Sequence, residues 1–131
     1  MQTHDNSYYL NHDFLGRDSV RGAVFLDYRN DGSFTDDISI IYGHRMNGRL
    51  MFSDVARYED YEFLMSHSQG ELILRSGEEY KISAEEYKVI SAYDDMYRFL
   101  DSNKHSGKII LSTCEKGDAG LRDILVLSKA F

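Results

Sequence analysis

The sequence has one cysteine and no proline or tryptophan among its 131 residues. A single thiol cannot form a disulfide within the chain, so it stands out as an unpaired and reactive candidate. The longest apolar runs are a few residues, far short of the ~20 that a membrane-spanning helix needs. The N-terminal stretch MQTHDNSYYL also has no apolar signal-peptide segment. We therefore expect a soluble chain with no anchor.

Charge and composition exclude further classes of protein. The 15 basic and 22 acidic residues give a net charge of −7 at pH 7, which disfavours nucleic acid or an anionic membrane surface as a partner. No stretch is rich in proline, serine or glycine, and 42% of the residues are hydrophobic, enough to supply one core. We expect residues 1–131 to form a single domain.

Short β-rich segments separated by turn residues dominate the chain. Segments of this kind, apolar and β-branched between turn residues, favour strands. They are GAVFLDY (22–28), ISIIYG (38–43), ELILRS (71–76), EYKVISAY (86–93), KIILSTC (108–114) and RDILVLSKAF (122–131). Six or more strands against one or two helices predict a mostly β fold, a closed or nearly closed β-barrel with peripheral helices.

One segment, SDVARYEDYEFLMSH (53–67), has the periodicity of a helix. Its apolar residues recur at helical spacing: Val55, Tyr58, Tyr61, Leu64 and Met65. An N-cap is expected at Ser53 or Asp54. A second short helix is expected over DDMYRFLDS (94–102).

The predicted strand KIILSTC ends at the lone Cys114, after two hydroxyl residues. A free thiol titrates near pH ~8.5 and needs a base or a charged neighbour to act as a nucleophile at neutral pH. Among the five histidines, His44 directly follows a predicted strand in IIYGHRM. Both residues would lie at the rim of a barrel, where they can face each other. The alternative is that His44 is a surface loop residue and Cys114 a small buried hydrophobic residue.

A fixed positive charge would complete such a site, because acyl transfer builds an oxyanion that needs donors already in place. Arg122 follows Cys114 closely and stands at the head of the last predicted strand. In a hairpin it would return beside the thiol. The alternative is a solvent-facing arginine that caps a strand.

The stretch DYRNDG, which begins at Asp27, superficially resembles a calcium-binding loop. Arg29 occupies the third ligand position and Ile38 the twelfth, where the motif requires oxygen ligands. We therefore expect no metal site in this loop.

Four segments of the chain resemble the class B sortases. IIYGHRMNGRLMFSDVARYEDYEF, IILSTCE and LRDILVL are similar to the three signature segments of that family, and YYLNHDFLGRDSVRGAVFLDYRND is similar to its segment before the histidine. The four segments stand in the family's order and span about Ser7 to Phe131. The resemblance implies a sortase-like β-barrel with one or two peripheral helices and an active site of Cys114, His44 and Arg122.

The same resemblance implies a cysteine transpeptidase that cleaves a C-terminal sorting signal after a threonine. The acyl group would pass to an amine of cell-wall peptidoglycan or of a pilin, with no metal or organic cofactor. Cys114 would attack the threonine carbonyl, Arg122 would hold the oxyanion and substrate, and His44 would protonate the departing amine. The full-length protein is then expected on the extracellular face of a Gram-positive cell membrane.

Five further residues are candidates for substrate binding. Tyr42 and Met46 flank His44 and would shape the pocket, although such residues beside a strand end also serve as core. Ser112 and Thr113 precede the thiol and would line the substrate groove, unless they are only β-favouring residues. Glu115 matches a residue often found after the family's cysteine, and its alternative role is an exposed turn carboxylate.

Two features depart from the family's pattern. The chain begins where a sortase would already have passed its membrane anchor, its N-terminal helices and its first strand, so we expect an open barrel edge that can pair with a second chain. The segment SAYDDMYRFLDSNKHSGK (91–108) is too short for the long helix-bearing loop that walls the family's substrate groove. An alternative function is therefore a weak or inactive sortase-like domain that binds a sorting peptide or a partner. A hydrolytic cysteine protease is a third interpretation.

Overall fold

The computed structural model describes residues 2–44, 52–91, 107–114 and 120–129. Strands dominate these residues, as the sequence predicts. They are β1 (Phe25–Leu26), β2 (Ile38–Tyr42), β3 (Gln69–Ile73), β4 (Glu79–Ser91), β5 (Lys108–Cys114) and β6 (Leu121–Lys129). The helical parts are 3-10 helices at Tyr8–Leu10 and Ser53–Glu59 and the α-helix α1 at Tyr61–Ser66. The predicted mostly β fold with peripheral helices is confirmed.

The six strands form one sheet in the order β1-β2-β5-β6-β4-β3. The sheet curls into a half-barrel with β1 and β3 at its two edges. The β2–β5 pair is parallel, and every other neighbouring pair is antiparallel. Because parallel strands point the same way, β2 and β5 end at one rim of the sheet, and the antiparallel β6 begins there.

Both faces of the sheet bury apolar side chains. The isoleucine-rich cluster consists of Ile38, Ile40, Ile90, Ile110, Ile124 and Val126, with Tyr42 packed against it. The helix-covered cluster consists of Val55, Leu64, Ala84, Ile109, Leu125 and Leu127. Successive residues of β5 and β6 alternate between the two clusters, which is the period of a strand buried on both faces. These two central strands therefore give the rim a rigid base.

The helix predicted over 53–67 is divided into two parts at Asp60. Ser53–Glu59 is a 3-10 helix and Tyr61–Ser66 is α1, with extended backbone at Asp60 between them. The Asp60 carboxylate accepts a hydrogen bond from the backbone N–H of Glu62 at 3.0 Å. This bond satisfies an N–H at the start of α1 and fixes the break.

The predicted N-cap at Ser53 or Asp54 is wrong. The residue at that position is Phe52, and its side chain makes no capping hydrogen bond. Two of the apolar residues at helical spacing are nevertheless buried on the same side, because Val55 and Leu64 both belong to the helix-covered cluster.

Other predicted elements differ mainly at their ends. The first strand shrinks to Phe25–Leu26, and β4 begins at Glu79, well before the predicted start. The earlier start of β4 lets it pair along all of β3 as a hairpin, with Gly77 in the turn at a φ of +92° that favours glycine. The helix predicted over 94–102 lies outside the described residues.

We expect Ile110→Ala to lower the free energy of unfolding by about 2–5 kcal/mol, because it leaves a cavity in the isoleucine-rich cluster. Ile110 is completely buried, whereas Ile73 on the edge strand β3 is 62% exposed. The control Ile73→Ala should change stability by about 0.5 kcal/mol or less. Urea denaturation measures both variants, and equal losses would contradict this account of the core.

Candidate active site

The end of β5 lies directly beside the start of β6. The Cα atoms of Cys114 and Arg122 are partners across this antiparallel pair. Arg122 is also the partner of Ile90 on β4, so it is held between two neighbours in the sheet. On β6, Arg122 and Ile124 are two residues apart and share a face, the face of the isoleucine-rich cluster.

The parallel strand β2 lies on the other side of β5 and ends shortly before His44, at the same rim. Tyr42 is the Cα partner of Ser112, and the backbone N–H of Gly43 donates to the carbonyl of Ser112 at 3.1 Å. His44 follows Gly43 directly, so it lies level with the end of β5. The backbones of His44, Cys114 and Arg122 thus occupy neighbouring positions on one rim.

The ring of His44 is half-buried and contacts the backbone of Leu10. Its Nε2 atom lies 2.5 Å from the Leu10 carbonyl oxygen. A carbonyl oxygen can only accept, so Nε2 bears the proton. Nδ1 is then the nitrogen through which a neutral His44 can take up a proton.

Gly43 is required by the aromatic ring packed on the β2 end. A Cβ atom at this position would lie 2.7 Å from the ring of Phe52. The backbone N–H of Phe52 also donates to the His44 carbonyl at 2.8 Å. These contacts fix the course of the chain just before and after His44.

Tyr42 packs against the isoleucine-rich cluster and is also tied to a buried acid. Its ring centroid lies 5.2 Å from that of Phe25, and its hydroxyl donates to Asp27 Oδ2 at 2.9 Å. The ring of Tyr42 is thus part of the core, and its predicted role in shaping the pocket stays a prediction.

Asp27 is completely buried, and sequence analysis did not select it as a site residue. Its carboxylate accepts two hydrogen bonds from the Arg29 guanidinium, both at 3.0 Å, and one each from the Arg29 backbone, Tyr42 and Asn6. Burial by itself raises the pKa of Asp27, but the hydrogen bonds from Arg29, Tyr42 and Asn6 together lower it below the ordinary value. The sequence signals were an acid near the end of a predicted strand with an arginine two positions on, and its place at the start of DYRNDG.

Ser112 and Thr113 are each 1% exposed, and neither hydroxyl has a hydrogen-bond partner among the described residues. A buried polar group without a partner costs about 1–3 kcal/mol. Because successive strand residues point to opposite faces, Ser112 shares a face with Tyr42 and Thr113 shares one with Asp123. The two hydroxyls therefore cannot line the same groove, and only Ser112 lies on the Tyr42 face.

Asp123 is a second buried acid that the sequence did not reveal. It follows Arg122 directly, is completely buried, and accepts a hydrogen bond from the Tyr87 hydroxyl. It lies on the face opposite that of Arg122, opposite Thr113 across the β5–β6 pair. Its hydrogen bond to Tyr87 therefore anchors β6 on the face opposite Arg122, one residue further along the strand.

Two predicted substrate-binding residues, Met46 and Glu115, lie outside the described residues. Within the described ranges, no group of three or more histidine, cysteine or acidic side chains could hold a metal ion. The same ranges contain no helix long and apolar enough to cross a membrane.

Comparison with known proteins gives a consistent set of relatives. No protein-family model matches the chain. Sortase B of Listeria monocytogenes is 43% identical over 67 residues, which are 51% of this chain and 27% of the relative. Sortase B of Staphylococcus aureus is 26% identical over an alignment of 138 positions that covers 88% of this chain and 57% of the relative. The chain thus spans about a quarter of the length of the first relative and little more than half of the second.

The fold is also shared with a solved structure. A class B sortase of Streptococcus pyogenes involved in pilus biogenesis superposes with a TM-score of 0.80 at 26% identity, over 98% of this chain and 82% of that one. The half-barrel and its rim are therefore a known architecture.

We expect Asp27→Asn to cost roughly 2 kcal/mol at pH 7, because it weakens charge-assisted hydrogen bonds worth about 1.5–3 kcal/mol each. A carboxyl whose pKa is lowered by folding stabilises the fold above the unfolded value near 3.9 and loses this contribution as pH falls through the folded value. The destabilisation caused by Asp27→Asn should therefore shrink below about pH 4.

Urea denaturation between neutral and acidic pH measures this effect. Asp37→Asn is a suitable control, because Asp37 is exposed and its carboxylate pairs with no described residue, and it should leave stability nearly unchanged at every pH. A cost of Asp27→Asn that stays constant down to the lowest pH would contradict the assignment of a charged, buried Asp27.

Proposed function

Because this chain is related to the class B sortases, we propose that it is a sortase-type cysteine transpeptidase domain. The observation that supports this most strongly is the rim itself. His44 follows β2, Cys114 ends β5 and Arg122 lies on β6, and these three strands are neighbours in the sheet. A thiol, an imidazole and a guanidinium can supply the nucleophile, the acid–base group and an oxyanion donor for acyl transfer through a thioester.

The first half-reaction forms the thioester. The Cys114 thiolate attacks the carbonyl carbon of the substrate peptide bond, and the negative charge on the carbonyl oxygen is held by Arg122 and backbone N–H groups. His44, as the imidazolium, gives its Nδ1 proton to the departing amine as the C–N bond breaks. The acyl group then remains on sulfur and His44 is neutral.

The second half-reaction transfers the acyl group. An acceptor amine attacks the thioester carbonyl and loses a proton to Nδ1 of His44, while the C–S bond breaks and the thiolate returns. The acceptor thus ends in a new amide bond and both protein groups are restored. One histidine serves as acid and then as base.

The substrate class proposed is a C-terminal sorting signal that is cleaved after a threonine. The acceptor is an amine of peptidoglycan or of a pilin, and the similar S. pyogenes enzyme is itself involved in pilus biogenesis. The proposed place of this chemistry is the extracellular face of a Gram-positive cell membrane. Pairing with a second chain would use the edge strands of the half-barrel.

Ser112 is proposed to bind the peptide next to the thiol. Its buried hydroxyl has no partner among the described residues and lies on the Tyr42 face of the sheet. A peptide N–H or C=O placed there would supply the missing hydrogen bond. Met46 and Glu115 remain candidates for the same role, whereas Thr113 points to the opposite face of the sheet.

We expect incubation with a panel of threonine-containing sorting peptides to yield a thioacyl adduct on the chain, detected by intact-protein mass spectrometry. Cys114→Ala should give no adduct. Arg122→Ala should lower the acylation rate by about 10²–10³-fold through loss of a charged oxyanion donor. Arg75→Ala, which removes an exposed arginine in the β3–β4 turn, should leave the rate unchanged.

The acceptor arm of the same experiment separates the alternatives. Adding an amine acceptor should convert the adduct into a ligated peptide, whereas release of free peptide acid alone would indicate a protease. A folded chain that binds the peptides but forms no adduct would contradict the enzyme and support the binding-domain alternative.

A further inference from the structure

An N-terminal strap, residues 2–12, is bound to the turn that follows β1. The side-chain amide of Gln2 donates to the Asp27 carbonyl at 2.8 Å. Asn6 donates to Asp27 Oδ2 at 3.0 Å and accepts from the Tyr28 backbone at 2.9 Å. The first half of the strap is thus fastened to the same buried carboxylate that binds Tyr42.

The second half of the strap is bound to the chain that leads into β1. Ala23 N–H donates to the Tyr9 carbonyl and Ser19 N–H donates to the Asn11 carbonyl, both at 2.9 Å. Gly22 makes the close approach, because a Cβ atom there would lie 2.2 Å from the Tyr9 oxygen and 2.8 Å from the Leu10 oxygen. The residues before and after Leu10 are therefore both hydrogen-bonded to this segment, and they fix the position of the Leu10 carbonyl.

This carbonyl is the one that contacts Nε2 of His44. The other described histidines that bond backbone carbonyls do so within their own segments and through Nδ1. His12 contacts the Tyr8 carbonyl at 2.7 Å, and His67 contacts the Phe63 carbonyl at 3.1 Å. His12 Nε2 lies 3.4 Å from a carboxylate oxygen of the nearby Asp18. Among the described histidines, His44 alone has its Nε2 bonded to a backbone carbonyl, and that carbonyl is 34 residues away in the chain.

We propose that the strap is a positioning element of the active site and that the Leu10 carbonyl is the group that orients His44. This inference rests on the proposed role of His44 in proton transfer. The carbonyl holds the proton on Nε2, so Nδ1 is the nitrogen that exchanges protons with the departing and incoming amines. When the ring is protonated, the same bond becomes charge-assisted and stronger. A backbone carbonyl thereby does what a carboxylate does for the histidine of serine hydrolases.

The first test uses the unaltered chain and does not depend on turnover. In ¹⁵N-histidine-labelled protein, at a pH where the rings are neutral, two-bond ¹H–¹⁵N correlations report which nitrogen bears the proton. His44, assigned by the loss of its signals in His44→Gln, should bear its proton on Nε2, and that proton should exchange slowly enough to be observed. A proton on Nδ1, or an Nε2 proton lost to rapid exchange, would overturn the proposal.

The second test moves the strap with a matched pair of glycine variants. Gly22 and Gly77 both have positive φ angles, +60° and +92°, but a Cβ at Gly77 meets nothing within 4 Å. Gly22→Ala should displace the Tyr9–Leu10 backbone, abolish the slowly exchanging His44 signal, and lower kcat for acylation about a hundredfold with KM little changed, as expected for a shift of ~1 Å. Gly77→Ala should retain both the signal and the rate.

The outcomes distinguish this proposal from the proposed function. A folded Gly22→Ala that loses the signal but acylates at the unaltered rate would overturn the positioning role. So would a folded Gly22→Ala that keeps both the signal and the rate. Absence of acylation in every protein, with the Nε2 signal present in the unaltered chain, would reject the transpeptidase function while leaving the strap contact confirmed.

Discussion

The parallel pairing of β2 with β5 is the constraint on which the rest of the site depends. Residues 44 and 114 are distant in the sequence, and only a parallel register brings the ends of their strands to one rim. The antiparallel return of β6 then adds Arg122 beside Cys114. Apolar clusters on both faces of the sheet hold this register, because a slip of one residue would turn each buried isoleucine toward the opposite face.

A buried charge connects this rim to the rest of the chain. Asp27 is tolerated inside the fold because its two oxygens accept hydrogen bonds from Arg29, Tyr42 and Asn6. Through Tyr42 it reaches β2, and through Asn6 it reaches the strap that contacts His44. The acid is thus a structural centre from which two separate segments approach the proposed proton-transfer residue.

Much of this could be predicted from sequence, because burial on strands leaves a local pattern. The alternation in KIILSTC and RDILVLSK indicated the central strands, and His44 and Cys114 stood out at strand ends. The break at Asp60 was hidden, since the i,i+3 spacing of the apolar residues from Val55 to Leu64 fits both a 3-10 helix and an α-helix. The hydrogen bonds to Asp27 could not be predicted because Asn6 and Tyr42 are remote from it in the sequence. The contact of His44 with the Leu10 carbonyl could not be predicted because every residue has a backbone carbonyl.

The backbones at positions 44 and 114 are neighbours at the rim of the sheet, and a disulfide between these positions tests that placement. Adjacent strands lie about 4.7–4.9 Å apart, within the 4.4–6.8 Å between Cα atoms that a disulfide spans. In His44→Cys, mild oxidation of the native chain should link the new thiol to Cys114 rapidly, as seen by peptide mass mapping. Ile73→Cys on the distant edge strand should not link. A His44→Cys protein that stays reduced, or links no faster than Ile73→Cys, would contradict the account.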